Sequence, residues 1–465
     1  MMIKKILLLG ALMLSLAACN LTNKNAHPLQ SLQDVPQNYE AFKAPPIKDW
    51  ATAEGAKVLF IESSGVPMFD VRVIFAAGSV RDGNQHGLAH LTNAMLGEGT
   101  STKDANKIAD EFAMLGAQFS TSARRDMAVA SLRSISELST RTKAVQLFAQ
   151  VIGRPSFPVS SLVRIKNQTL TSFKHKEQLP AVLANEEMFK VLYDDHPYAH
   201  APSGNKTSVE PLSRKSLMAF HKSAYSANNA TIAIVGDLSL NEAKEVAAQI
   251  SAALPNSQSL GDIPPPKERL AVQRHIGFKG GQSHIVLASL GIDRNHPNYA
   301  ALMLGNHILG GGGFGSRLMT ELREKRGITY GVYSNFAPMA VRGPFQIELQ
   351  TSAKYTQGAI ALIKQIVDDF VQFGPTDAEF ESAKNEMLNS FALGLGSNSD
   401  MVRQLGMIGF YKLPFNFMGN YQTQIKNLSR EQVIEALKRH LAVEKLAVIT
   451  VGPKVKQQVL PPAAN

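Results

Sequence analysis

The sequence predicts an α+β fold of two homologous domains, each an antiparallel sheet packed with helices. Three observations carry that prediction. At 465 residues the chain is too long for one hydrophobic core. A stretch rich in proline, serine and glycine, LPNSQSLGDIPPPK, interrupts it at 254–267. On either side of that break one order recurs: strand, helix, a pair of strands, several helices, and a last strand that ends in glycine.

Taken from the N-terminus, Met1 to Lys5 form a short basic region and 6–16 an apolar run too short for a stable bilayer span. Small residues then precede Cys19, the one cysteine of the chain. Residues 1–18 therefore read as a secretory signal peptide. Leu16-Ala17-Ala18-Cys19 resembles a bacterial lipobox, which implies that Cys19 is acylated and anchors the chain to a membrane. Asn20 at the second mature position then implies sorting to the outer membrane of a Gram-negative cell, facing the periplasm. Residues 19–45 are polar and aperiodic, a tether.

The first domain is expected over 46–253. Strands at 57–62 and 69–75 are apolar and β-branched between turn residues. Helices follow at 88–96 and 103–115. Strands near 118–122 and 127–132 flank the turn Ala123-Arg124-Arg125-Asp126. Helices run to about 193, and a strand at 231–235 ends in Gly236-Asp237. After the linker, 254–268, the second domain occupies 269–455. It reads as a strand at 284–290, helices at 298–309 and 316–325, paired strands at 330–336 and 345–350, helices to about 440, and a strand at 446–451 ending in Gly452-Pro453. The proline-rich tail, 456–465, reads as frayed. The repeat is too long for a solenoid and fits an internal duplication.

The formal charge of +10, or +8 once Lys4 and Lys5 leave with the leader, is spread along the chain. No basic block interleaved with aromatics points to nucleic acid.

Residues 87–100 read GLAHLTNAMLGEGT. They resemble the zinc-site helix of the M16 (pitrilysin, insulinase and mitochondrial-processing) metallopeptidases, whose motif is His-x-x-Glu-His. The frame survives and its chemistry does not. His90 is present, Asn93 stands at the general-base position, and Ala94 stands at the second histidine. The resemblance puts the third ligand, a glutamate, near 169–173, where the sequence is Thr-Leu-Thr-Ser-Phe. Catalytic zinc needs three protein ligands and a carboxylate beside the open position. One histidine supplies neither, so the site is degenerate and the chain is expected to bind no metal of its own. His86/His90 and His196/His200 are each four apart, a spacing that binds metal on a helix. Gly87 and Pro197 put both pairs at turn boundaries, with no carboxylate to complete them.

Residues 308–333, ILGGGGFGSRLMTELREKRGITYGVY, are closely similar to the C-terminal half of the same family. There an arginine and a tyrosine seven residues apart meet the substrate backbone across the cleft; the matching residues are Arg323 and Tyr330. The chemistry is reasonable in its own right, since a guanidinium grips a carbonyl or carboxylate and a phenol donates to an oxyanion. Arg317, Lys325 and Arg326 read as helix-face charges. Glu321 and Glu324 are too close in sequence to pair well with Arg323. The glycines at 310–313 and 315 lack the following Lys-Ser/Thr of a phosphate loop and read as a hinge or substrate-edge loop.

The resemblance implies a clam-shell M16-like fold and the non-catalytic subunit of a two-chain peptidase. A His-x-x-Glu-His subunit would hold the zinc, this chain would supply Arg323 and Tyr330, and unfolded peptides would be cleaved between them. Two rivals stay open: a peptide-binding or envelope-scaffold module without catalysis, and a self-sufficient peptidase with an unorthodox site.

Overall fold

The computed structural model describes residues 45–464. The leader, Cys19 and nearly all of the tether lie outside the described residues. The first half contains β1 (Lys48–Ala51), β2 (Lys57–Glu62), β3 (Met68–Phe75), α1 (Leu88–Ala94), α2 (Ala105–Met114), β4 (Gln118–Ala123), β5 (Ala128–Ile135), α3 (Leu138–Gly153), α4 (Val159–Lys176), α5 (Pro180–Tyr193), α6 (Lys206–Val209), α7 (Arg214–Ala224), β6 (Ala230–Gly236) and α8 (Leu240–Ala253). The second contains β7 (Gln273–Gly277), β8 (Gln282–Leu290), α9 (Tyr299–Asn306), α10 (Arg317–Met319), β9 (Thr329–Phe336), β10 (Pro344–Ser352), α11 (Thr356–Phe373), α12 (Asp377–Leu393), α13 (Asn398–Phe410), α14 (Phe417–Asn427), α15 (Arg430–His440) and β11 (Ala447–Gly452).

The duplication is visible in the sheets. The first runs β1-β2-β6-β3-β5-β4 and the second β7-β11-β8-β10-β9, so apart from β1 the orders superimpose. Each sheet is antiparallel save for one parallel pair at the same place, β2 with β6 and β7 with β11. The edge strands β1 and β7 escape the sequence reading because they are short and largely exposed, which leaves little apolar pattern to see. The sequence reading also carries the first domain to 253 but assigns no element after the strand ending in Gly236-Asp237, where α8 follows. Its capping box was legible: the Ser239 side chain accepts from the Glu242 N–H while the Glu242 carboxylate accepts from the Ser239 N–H.

The central strands are apolar on both faces, and the alternation assigns each face a different cover. Val58 and Phe60 of β2, with Ile232 and Ile234 of β6, join the core formed with α1, α3, α7 and α8. Leu59, Ile61, Ala233 and Val235 face the other way and pack on Val402, Leu405 and Ile408 of α13. That helix comes from the second half. Gly406 and Gly409 let it approach: a Cβ on Gly409 would lie 2.4 Å from Thr231 Cγ2, and one on Gly406 2.6 Å from Ile74 Cδ1. The exchange is mutual. Ala184, Met188, Phe189 and Leu192 of α5, a first-half helix, cover Val286, Ala288, Ile449 and Val451 of the second sheet.

The predicted turn at 123–126 is a joint between the halves. Asp126 accepts from the Tyr198 hydroxyl, from the Tyr411 hydroxyl at 3.0 Å and from the Ala340 N–H at 2.9 Å. Its neighbour Arg125 lies over the Phe189 ring of α5 at 3.3 Å and donates to the Tyr198 carbonyl. Burial pushes the Asp126 carboxyl above the usual aspartate range, against the opposing hydrogen bonds from Tyr198, Ala340 and Tyr411. The folded chain thus holds this proton more tightly than the unfolded one. The resulting stability is full below the unfolded pKa of about 3.9 and declines as pH rises through the raised folded value. Asp126→Ala, which strands three buried donors, is expected to lower unfolding free energy by about 2–4 kcal/mol. Asp126→Asn cannot ionise, so the stability of the native chain relative to this variant should fall with rising pH. Urea unfolding across that range checks it; parallel pH profiles would refute the assignment.

The tail is a correction to the sequence reading. It is bound along the second half: the Gln458 N–H donates to the Lys354 carbonyl at 2.8 Å, Leu460 packs beside Gly358, and the Ala464 N–H donates to the Lys325 carbonyl at 2.7 Å. Proline removes donors at two positions only, Pro461 and Pro462, and Gln458 and Ala464 on either side of them find acceptors.

Candidate functional site

Helix α1 opens at Gly87, whose φ of 95° suits glycine, and Asp82 ties down its first turn by accepting from the N–H groups of Gly87 and Ala89, each at 2.7 Å. The helix therefore keeps the shape of a metal-site helix while its side chains serve the core. Asn93 is buried and turned inward: its amide donates to the Tyr225 hydroxyl at 3.2 Å and lies 3.5 Å from the Val129 carbonyl. Tyr225 is enclosed by Phe75 and stacked on His221. Ala94 carries no ligand atom. On α4, the Thr169 hydroxyl donates to the Ile165 carbonyl and the Ser172 hydroxyl to the Thr169 carbonyl, so both are spent on their own helix. Burial first, and then the Lys176 ammonium, hold His90 below the ordinary histidine value, with Asp82 opposing. A cation beside the remaining imidazole further disfavours a second cation there. The residues present do not fit zinc, and among the described residues no group of three or more His, Cys, Asp or Glu is arranged to hold a metal ion.

The histidines spaced four apart do not act as pairs. Gly87 breaks the helix between His86 and His90. His86 instead stacks on His200, ring centres 4.0 Å apart and planes 4° apart, and His200 Nε2 sits 3.1 Å from the Ser79 carbonyl and 3.3 Å from Asp82. Face-to-face rings cannot both point a lone pair at one ion. His196 donates from Nε2 to the Pro264 carbonyl at 2.8 Å and accepts the Tyr198 N–H on Nδ1, fixing the linker to the first half.

The second-half segment is built differently from the expected loop and helix. Helix α9 passes into a π turn at His307–Gly311, and α10 into another at Thr320–Glu324. Such turns are rare and cluster at functional sites. Gly310 is a close-packing position, where a Cβ would lie 2.7 Å from the Ser334 backbone nitrogen, whereas Gly313, with φ 65°, and Gly315 have open space around them. Arg323 falls inside the second π turn. Its carbonyl accepts from the Gly327 N–H at 2.9 Å, and the Ile328 N–H donates to the Leu322 carbonyl at 3.0 Å. That short connection leads into β9, the edge strand of its sheet, at whose start Tyr330 is 87% exposed.

The neighbouring charges are accounted for. Arg317 forms a fork with Glu379, both contacts 2.6 Å, and Lys325 and Arg326 both engage Glu321 at 2.6 and 2.7 Å. Arg323 alone of the four has no carboxylate partner among the described residues; its guanidinium lies 4.4 Å from the centre of the Phe314 ring, itself 62% exposed. The Arg323 guanidinium thus rests on an exposed ring, and Tyr330 stands exposed at the start of the edge strand β9.

The family described as "Insulinase (Peptidase family M16)" matches residues 57–203, and "Peptidase M16 inactive domain" matches 211–387. A solved M16 inactive domain from Pseudomonas fluorescens is 51% identical, covers 89% of this chain and all of its own, and superimposes with a TM-score of 0.87. A "non-peptidase homolog" of Helicobacter pylori, YmxG, is 27% identical over 86% of this chain and 93% of its own length. An uncharacterised zinc protease of Bacillus subtilis, also YmxG, is 23% identical over 88% and 98%.

Proposed function

Because the chain belongs to the M16 peptidase family and is of its inactive, non-peptidase kind, we propose that it is the substrate-side subunit of a two-chain M16 zinc peptidase. It would be lipid-anchored through Cys19 at the periplasmic face of the outer membrane. In that arrangement the partner supplies zinc and the general base from its own His-x-x-Glu-His helix. This chain supplies Arg323, to hold a carbonyl of an unfolded peptide, and the Tyr330 hydroxyl, to donate to the oxygen that gains charge as the peptide bond is attacked.

The observation that carries the reading is the contrast between two regions of one chain. Asn93 at the old metal site is turned into the core and Thr169 and Ser172 are bonded to their own helix, whereas Arg323 has no carboxylate partner among the described residues and Tyr330 is exposed. A degenerate enzyme under no demand would have no reason to keep the second pair free.

The test is co-expression with an M16 chain bearing an intact His-x-x-Glu-His. Peptide cleavage should rise at least about 100-fold over either chain alone, the scale of one oxyanion donor. A partner equally active by itself would refute the subunit reading and leave the peptide-binding or scaffold reading in its place.

A further inference from the structure

A cavity of about 590 Å³ is lined by residues of both halves and of the linker. It is within the size range of small-molecule sites. Its walls include Lys57 and Arg81 from the first half, Arg294 and Lys412 from the second, and 259–263 from the linker. Against these four basic groups stand two acids, Asp126 and Asp262. Asp126 is already occupied by its three donors, which leaves the lining with an excess of unmatched positive charge.

Two of these basic groups, Arg81 and Arg294, are arginines that reach the cavity from opposite halves. Arg81 Nε and Arg294 Nε are enclosed from solvent and have no hydrogen-bond partner among the described residues. Arg81 uses Nη2 on the Gly261 carbonyl at 2.6 Å, and Arg294 places Nη2 at 3.5 Å from the Met407 sulfur, a weak acceptor. Those two nitrogens are sealed from solvent and so do not face the cavity; what the arginines bring to its wall is their charge and their remaining Nη donors. Burial also draws the Arg81 guanidinium below its usual value, with Asp262, Tyr198 and Asp126 opposing.

The backbone supplies a second, independent sign. Lys412 has φ 54°, a left-handed conformation that favours glycine. Its position just after α13 is one where glycine would end the helix without strain. A lysine kept there places a charged side chain on the cavity at the expense of backbone comfort. The linker is strapped across the same place: the Leu260 N–H donates to Asn229 Oδ1 at 2.8 Å, and Asn228 Nδ2 donates to the Ser257 carbonyl at 2.8 Å.

We propose that this cavity binds a small organic carboxylate, with Arg81 and Arg294 meeting it from opposite halves and Lys412 at its rim. A carboxylate presents two coplanar oxygens to guanidinium N–H groups, which a neutral ligand does not. The cavity volume exceeds what a lone inorganic anion fills. The carboxylate could come from the C-terminus of a short peptide or from a free organic acid, which share this chemistry. Because both halves contribute, binding tightens their apposition and raises the melting temperature. The site does not depend on the peptidase partner.

The probes are a tripeptide acid, the same tripeptide as its C-terminal amide, citrate, and inorganic phosphate, each titrated into the purified chain with calorimetry and thermal melting. The tripeptide acid or citrate should bind and raise the melting temperature, whichever binds naming the source. The amide should bind roughly tenfold or more weakly than the acid, as should the acid to Arg294→Gln. Arg81→Lys, which keeps the charge without the fork, serves as the variant least apt to disturb folding, and it too should weaken binding. Unliganded melting curves of both variants report folding separately. No binding by either carboxylate, equal binding by amide and acid, phosphate binding as tightly as the carboxylates, or undiminished binding to both well-folded variants would each overturn the proposal.

Discussion

Neither half of this protein, expressed alone, will fold cooperatively, whereas the two co-expressed as separate fragments, 46–268 and 269–465, will assemble into a native-like complex. The reason is the exchange of helices. Without the second half, Leu59, Ile61, Ala233 and Val235 lose Val402, Leu405 and Ile408; without the first, Val286, Ala288, Ile449 and Val451 lose Met188, Phe189 and Leu192. At about 1.5–3 kcal/mol for each buried side chain, each bare face forfeits on the order of 10 kcal/mol. A domain has roughly 5–15 kcal/mol of net stability in all. The Asp126 joint is lost as well, stranding a buried carboxylate on one side and the Tyr411 hydroxyl on the other. Circular dichroism melts and dye binding on each fragment, alone and mixed, decide the matter. A cooperative melt from 46–268 by itself would show that the exchanged helix is dispensable.

That exchange marks how far the sequence could be read. The central strands were legible because burial on both faces leaves unbroken apolar runs, as in Ala230–Gly236, where every residue is buried. The repeated strand order followed from them. Which sheet a helix covers was not legible, because the apolar stripe of α5 carries no address. Its sequence neighbours suggest the first sheet and the fold gives it the second. The pair Gly406 and Gly409 was a usable signal, since small residues three apart in an apolar helix mark a close approach. At the old metal site the missing ligands were plain from identities alone, but the inward turn of Asn93 depends on Tyr225, 132 residues away. The stacking of His86 on His200 depends likewise on tertiary placement. The positions of Arg323 and Tyr330 were legible from their frame. That Glu321 and Glu324 sit too close to pair well with Arg323 was legible from spacing; that Glu321 is instead taken by both Lys325 and Arg326 was not.

In the proposed two-chain peptidase, Tyr330→Phe will lower kcat by about 10²–10³-fold with little change in KM, the size expected for one donor to a developing oxyanion. Arg323→Ala will raise KM as well as lower kcat, because a grip on the peptide backbone acts in both the ground and transition states. Arg323→Lys will recover only part of the loss, since an ammonium cannot present the paired donors of a guanidinium. The same substitutions should leave stability within about 0.5 kcal/mol of the native chain. Tyr330 is 87% exposed, and the Arg323 side chain rests on a ring that is itself mostly solvent-facing. This pairing of outcomes separates a role in substrate handling from a structural one. A structural residue would move the melting temperature and kcat together, and its conservative replacement would rescue both. A Tyr330→Phe complex with native kcat would refute oxyanion donation, and an Arg323→Ala complex with native kcat/KM would refute the grip. Failure of both with intact assembly would place the chain's contribution in the shape of the chamber rather than in any polar contact. If the proposed division of labour holds, these two side chains carry the chemistry that the helix at His90 no longer can, and no change at Asn93 or Ala94 alone would restore it, because Asn93 points into the core and α4 offers no carboxylate at Thr169.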